Sequence, residues 1–104
     1  MEEKILSELK KGLADLLGER MKAVTLFGSR ARGDYDHESD IDVAVIVRDL
    51  TRELKNRIFE KVAEIELEHL TPISLLVFSE EEFDRLKRRE RRIALDIERE
   101  GVRL

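Results

Sequence analysis

Hydrophobic positions recur along the chain with two different periods. Between residues 3 and 21, Ile5, Leu6, Leu9, Leu13, Leu16, Leu17 and Met21 fall at spacings of three and four, which predicts an amphipathic helix. Ala23 to Phe27 is short, apolar and rich in β-formers, and predicts a strand that Gly28 ends. Residues 28–39 are polar and contain two glycines, so they predict a loop or a brief helical turn. Ile41 to Val47 predicts a second strand. It is apolar on both faces except at its start, the pattern of a central, covered strand. Residues 51–69 predict a second amphipathic helix with Leu54, Ile58, Val62 and Ile65 on one face and Thr51 as N-cap. Pro72 opens a third strand, Ile73 to Phe78, at a position where no ladder donor is required. Ser79 and Glu82 form a capping box, so a third helix starts at Glu80 and runs, continuous or broken, to Glu100. Gly101 fits the C′ position that ends helices, and Val102-Arg103-Leu104 suits a short edge strand or a frayed end.

This order of elements predicts an α/β (α+β) fold, a small mixed sheet of about three or four strands covered by helices. The 104 residues suit one domain, spanning 1–104, without internal repeat or linker.

Composition narrows the function. Charged residues make up 42% of the chain, yet 20 Lys and Arg face 24 Asp and Glu, a net charge of only −4. A non-specific nucleic-acid coat needs excess positive charge, so there is no strong nucleic-acid signal. The absence of cysteine excludes disulfides, thiolate metal sites and cysteine nucleophiles. Two histidines far apart in sequence make a His-rich zinc site improbable. The longest apolar run, Val43 to Val47, is far too short to span a bilayer, and Met1-Glu2-Glu3-Lys4 lacks the features of a signal peptide. A cytoplasmic location is the expectation. One Asn, no Gln and no Cys beside many Glu, Lys and Arg predict a heat-adapted protein.

The informative stretch is Gly28 to Asp42, GSRARGDYDHESDID. Gly28 lets the backbone turn sharply after a strand and approach a ligand closely. Ser29 adds a hydroxyl and an amide, and with a short helix behind them the pair would make a phosphate cradle. Taken alone, Gly-Ser more often marks an ordinary turn. The second feature is the acid run Asp34, Asp36, Glu38, Asp40 and Asp42, nine residues without Lys or Arg. Asp34, Asp36 and Glu38 read well as a solvated loop. Asp40 and Asp42 do not, because side chains two apart on a strand share a face about 7 Å apart. Carboxylates so placed repel each other, and a hard cation such as Mg²⁺ offsets that repulsion.

Gly28-Ser29, ten residues, then Asp40-Ile41-Asp42 resembles the signature of the nucleotidyltransferase superfamily that includes DNA polymerase β. The small size resembles the minimal nucleotidyltransferases of prokaryotes, among them the antitoxins of HEPN/MNT toxin–antitoxin pairs, and the element order resembles their palm-like core. The resemblance implies a metal-dependent transfer. ATP or another NTP would bind with its triphosphate on Gly28 and Ser29, Asp40 and Asp42 would hold Mg²⁺ (or Mn²⁺), and a nucleoside monophosphate, AMP from ATP, would pass to a hydroxyl acceptor. Arg30 and Arg32 follow the cradle and either could clamp a phosphate. A surface ion pair with the acid run is the competing account, even for Arg32 and favoured for Arg30. The resemblance also implies a helical HEPN partner that supplies the acceptor. In one place the chain departs from the family pattern. A third carboxylate belongs on the strand after the second long helix, and Ser74 stands about there. The alternative is therefore a catalytically weakened binding module, an antitoxin that masks its HEPN partner.

The remaining polar residues have ordinary explanations. His37, His69 and Tyr35 read as surface residues, and Phe59, Phe78 and Phe83 as core. Lys87-Arg88-Arg89-Glu90-Arg91-Arg92 reads as a solvated helix face paired with Glu80, Glu81, Asp84 and Asp96, with an acidic partner as its functional alternative.

Overall fold

The computed structural model describes residues 2–33 and 40–104, without the side chains of Glu2 and Ser29. The elements are α1 (Glu2–Leu17), a 3₁₀ turn at Gly18–Arg20, β1 (Met21–Phe27), α2 (Gly28–Arg32), β2 (Ile41–Val47), α3 (Arg52–His69), β3 (Ile73–Ser79), α4 (Glu80–Arg88), α5 (Arg92–Glu100) and β4 (Val102–Arg103). The four strands form one mixed sheet in the order β3-β2-β1-β4. β1 is antiparallel to β2 and β4, and β2 is parallel to β3. The parallel pair needs a crossover, and α3 supplies it.

Alternation along the central strands divides the core into two layers. Val24, Leu26, Ile41, Val43, Val45, Val47 and Val77 bury one sheet face against Ile5, Leu9 and Leu13 of α1 and Ile58, Val62 and Ile65 of α3. Ala23, Phe27, Ala44 and Ile46 bury the other face against Phe83 of α4 and Ala94 and Ile97 of α5. β2 lies between β1 and β3 with its apolar residues buried, which is why its sequence is apolar on both faces.

Caps stand where the side chains call for them. Thr51 Oγ1 accepts from Leu54 N at 3.1 Å and Ser79 Oγ accepts from Glu82 N at 3.1 Å. The helical stretch after Ser79 is broken, with Glu90 at φ 53° between α4 and α5. Four expectations need correction. The first helix gives way to a 3₁₀ turn at Gly18, and β1 starts earlier, at Met21. Phe59 is 43% exposed rather than core. Gly101 does not adopt the left-handed conformation of a C′ glycine. Its φ is −69°, and the reason for glycine is space: a Cβ there would run into the Ile97 carbonyl oxygen and Thr25 Cγ2. His69 is half-buried, its Nε2 2.7 Å from Glu8 Oε2, a tie between α3 and α1.

Two residues of the basic cluster, Lys87 and Arg92, pair with acids as the sequence suggests. Lys87 bridges Asp84 at 3.7 Å and Glu98 at 3.1 Å, and Arg92 lies 3.9 Å from Asp96. Glu80 instead pairs with Lys22 at 3.5 Å.

Candidate functional site

The site residues gather where β1 ends and β2 and β3 begin. In the sheet register Phe27 lies opposite Asp42, and Asp42 lies beside Ser74. Gly28 follows Phe27 directly and opens α2 with φ 74°, a conformation that suits glycine. A Cβ on Gly28 would overlap Asp42 Oδ2. The missing side chain thus makes room for a carboxylate and sets the backbone of α2 against it.

Asp42 is half-buried, while Ile41 and Val43 on either side of it are buried in the core under α1 and α3. The Asp42 carboxyl titrates above its ordinary range. Burial is the main cause and the nearby Asp40 carboxylate adds to it, whereas the Ser74 hydroxyl, hydrogen-bonded to Asp42, and the Arg32 guanidinium pull the other way. Desolvation and like-charge repulsion outweigh the local donors, so the site carries a deficit of positive charge. Two carboxylates with that deficit, beside a backbone left open by glycine, are the oxygen-donor set that a hard divalent cation prefers. The residues present therefore fit such an ion, with Asp40 and Asp42 as the carboxylates that could hold it.

Arg32 reaches Glu100 of α5 at 3.1 Å, both side chains partly exposed, while still acting on Asp42. Arg32 thus forms a surface ion pair with Glu100, while residues 34–39 of the acid run, the expected partner, lie outside the described residues. The sequence offered no signal for Glu100, because 68 residues separate the two. Arg30 is half-buried in α2, with its Nε shielded from solvent. Ser29 belongs to the first turn of α2. Asp34, Tyr35, Asp36, His37 and Glu38 lie outside the described residues.

No third carboxylate stands on β3. Glu66, upstream on α3, accepts a 2.7 Å hydrogen bond from Ile73 N and is used in starting the strand. Ser74 occupies the place beside Asp42. A separate grouping, Glu8, Glu68 and His69, brings its ligand atoms within 4.8 Å on the α1–α3 side, where the His69–Glu8 hydrogen bond accounts for it.

Comparison with known proteins gives this geometry its family. A protein of Methanocaldococcus jannaschii, MJ0141, provisionally named a protein adenylyltransferase, is 37% identical over 75 residues, covering 71% of this chain and 76% of its own. A second M. jannaschii protein of the same provisional name, MJ0604, is 47% identical over 45 residues, covering 43% of this chain and 45% of its own. Two solved structures share the fold. A provisionally assigned nucleotidyltransferase from Sulfolobus solfataricus superposes with a TM-score of 0.53 at 23% identity, over 97% of this chain and 82% of that one. The toxin–antitoxin pair MntA–HpeT, in a mutant with two aspartate-to-glutamate changes, matches with a TM-score of 0.59 at 19% identity, over 99% of this chain and 71% of that one. The sequence signature of the nucleotidyltransferase domain matches residues 6–98, nearly the whole chain, and the protein belongs to the nucleotidyltransferase family.

Proposed function

We propose that this nucleotidyltransferase moves AMP from ATP to a hydroxyl group on a partner protein, with Asp40 and Asp42 holding Mg²⁺ (or Mn²⁺) and residues 1–104 acting as one domain. The observation that carries the reading is the close approach of Gly28 to Asp42, where a Cβ would overlap the carboxylate. It joins the glycine turn and the acid pair, twelve residues apart, into one site.

In this reading the first turn of α2, with Gly28 and Ser29, receives the triphosphate. A bound divalent cation supplies the positive charge that Asp40 and Asp42 lack and that a triphosphate also needs. Arg32, already within electrostatic reach of Asp42, adds charge at the same place, and Arg30 stands two residues earlier on α2. The acceptor oxygen attacks the α-phosphorus and gives up its proton to solvent, and the bond to the bridging oxygen breaks with its electron pair leaving on pyrophosphate. The protein's contribution is positioning and charge, the usual origin of rate in phosphoryl chemistry. The provisional name of the M. jannaschii relatives supports adenylyl transfer to protein, and the MntA–HpeT likeness supports a protein partner. We infer that the partner is a helical HEPN protein that brings the acceptor, and that the pair works in the cytoplasm. No described helix is long and apolar enough to cross a membrane.

Ser74 favours a second reading, a weakened transferase that acts by masking its partner. A neutral hydroxyl beside Asp42 gives a cation less than a third carboxylate would.

Calorimetric titration of ATP, with and without Mg²⁺, tests the site. We expect Mg²⁺-dependent binding that an Asp40→Asn/Asp42→Asn variant loses. Binding indifferent to Mg²⁺ or to that variant would sink the transferase reading. Transfer itself is read with α-labelled ATP and the partner protein; binding without label transfer would favour the masking role.

A further inference from the structure

On the side of the sheet away from β1, two surfaces meet that a small, highly charged protein does not normally leave in water. The first is the outer edge of β3. Among the described residues β3 pairs with β2 alone. Its seven residues, Ile73 to Ser79, include no charge, in a chain where 42% of residues are charged. The Pro72 carbonyl bonds Ile41 N of β2, so residues 72, 74 and 76 turn their backbone groups inward and 73, 75 and 77 turn theirs outward. Glu66 meets the Ile73 amide, which leaves Leu75 and Val77 as the outward backbone of the edge. Natural edges are commonly blocked by charge, proline or a bulge, and the body of this one has no charge and no proline.

The second surface is the adjoining flank of α3. Phe59, Ala63, Leu67 and Leu70 fall at spacings of four, four and three and form a stripe. Leu67 is 75% and Leu70 85% exposed. With Thr71 and Pro72, the last three residues of the stripe line a shallow groove of about 470 Å³ at the start of β3. Lys61 and Glu64 mark the opposite flank, which faces α1. Leu70 is the sharpest signal. It holds a left-handed conformation, φ 50°, at the C-cap of α3, where glycine or asparagine would be unstrained. A leucine there is unfavourable for the backbone and for solvation, and contact with a partner offsets both.

We propose that this face is a twofold interface between two copies of the chain. A helical partner could cover the α3 stripe but could not pair the strand backbone. A second copy supplies both parts at once. A twofold axis just outside the free edge of β3, normal to the sheet, sets β3 antiparallel to its copy and makes one eight-stranded sheet. The two α3 helices then lie antiparallel on the same sheet face, stripe to stripe, at the 8–10 Å spacing of packed helices. The basic start of one α3, Arg52 and Lys55, meets the acidic Glu66 near the end of the other. The strand is about 23 Å long and the helix about 27 Å, so the face is on the order of 500 Å² in plan. That is somewhat below the ~800 Å² per partner of standard interfaces, and a concentration-dependent dimer is the outcome.

Sedimentation equilibrium from low to high micromolar protein, with amide hydrogen exchange, tests this independently of any nucleotide chemistry. The wild type should approach twice the 12.2 kDa monomer mass. A Leu67→Glu/Leu70→Asn variant should dimerise at least about tenfold more weakly. Both sites are exposed and asparagine relieves the left-handed cap, so the variant should keep the wild-type melting temperature at concentrations too low for dimerisation. The Leu75 and Val77 amides should be protected in the wild-type dimer and exchange quickly in the variant. A wild type that stays monomeric, a dimer untouched by the double substitution, or unprotected Leu75 and Val77 amides would each overturn the proposal.

Discussion

Ser74 stands beside Asp42 across the parallel β2–β3 ladder, and its hydroxyl hydrogen-bonds the Asp42 carboxylate. Parallel neighbours in register share a sheet face, so whatever occupies position 74 acts directly on Asp42. The hydroxyl favours the charged form of the acid, burial and Asp40 disfavour it, and the balance leaves the Asp42 carboxyl harder to ionise than an ordinary one.

Ser74→Asp should therefore have opposite effects with and without metal. Without a divalent cation it adds a third carboxylate to an uncompensated pair and removes a donor, and the melting temperature should fall by about 4–8 °C, the equivalent of roughly 1 kcal/mol. With Mg²⁺ present, the variant should regain more stability than the wild type does. If label transfer from α-labelled ATP also rises, the third carboxylate was the missing part of catalysis. Equal Mg²⁺ responses in variant and wild type would show that position 74 does not face the cation.

Asp42→Asn should stabilise the metal-free protein at neutral pH. A carboxyl raised in the folded state keeps its proton to higher pH than the unfolded chain does. Folding then loses stability as pH rises from the ordinary value of 3.8 through the raised one, and the loss persists above it. Asparagine removes that loss and can still accept from Ser74. In chelator, the variant should melt above wild type at pH 7, with the gap closing in acid. The same variant should lose Mg²⁺-dependent ATP binding, the usual exchange of function for stability. A variant that melts lower at pH 7 than the wild type would contradict the account.

Periodicity exposed most of this fold because the core is built from it. Six of the seven apolar positions expected in the first helix, the continuous apolar run of β2 and the Thr51 and Ser79 caps are local signals that stand where the sequence puts them, whereas Met21 falls in β1. Long-range relationships were not readable in the same way. Phe59 looks like core by type, but the buried face of α3 is Ile58, Val62 and Ile65, and Phe59 sits on its flank. One partner of Arg32 is Glu100, brought near only by the packing of α5 beside α2. At the candidate site, Asp42 and Gly28 were legible as residue types at a spacing. Their contact, and the reason only glycine tolerates it, required the sheet register.

Gly101→Ala tests a steric reading against a conformational one. With φ at −69° the backbone would accept alanine without strain, so a C′ role predicts almost no cost. The observed packing predicts a clear one, because the new Cβ meets the Ile97 carbonyl and Thr25 Cγ2. Overpacking of this kind costs about 1–3 kcal/mol. Chemical denaturation should show that loss, and a neutral result would mean that α5 shifts freely against β1.

Gly28→Ala and Gly33→Ala together separate backbone freedom from space. Both glycines have positive φ, 74° and 83°, so alanine at either position carries a conformational penalty of about 1–2 kcal/mol. Of the two, Gly28 has a neighbour in the way among the described residues. A Cβ there overlaps Asp42 Oδ2, whereas at Gly33 no described residue lies within 4 Å. Gly33→Ala should therefore destabilise the protein modestly and leave Mg²⁺-dependent ATP binding within about twofold of wild type, less than 0.5 kcal/mol. Gly28→Ala should cost about 1 kcal/mol more, from the displaced carboxylate, and weaken ATP binding at least tenfold. Equal binding losses in the two variants would mean that the left-handed backbone, and not the approach of Gly28 to Asp42, is what the site requires. Retained binding in Gly28→Ala would remove the observation on which the proposed function rests.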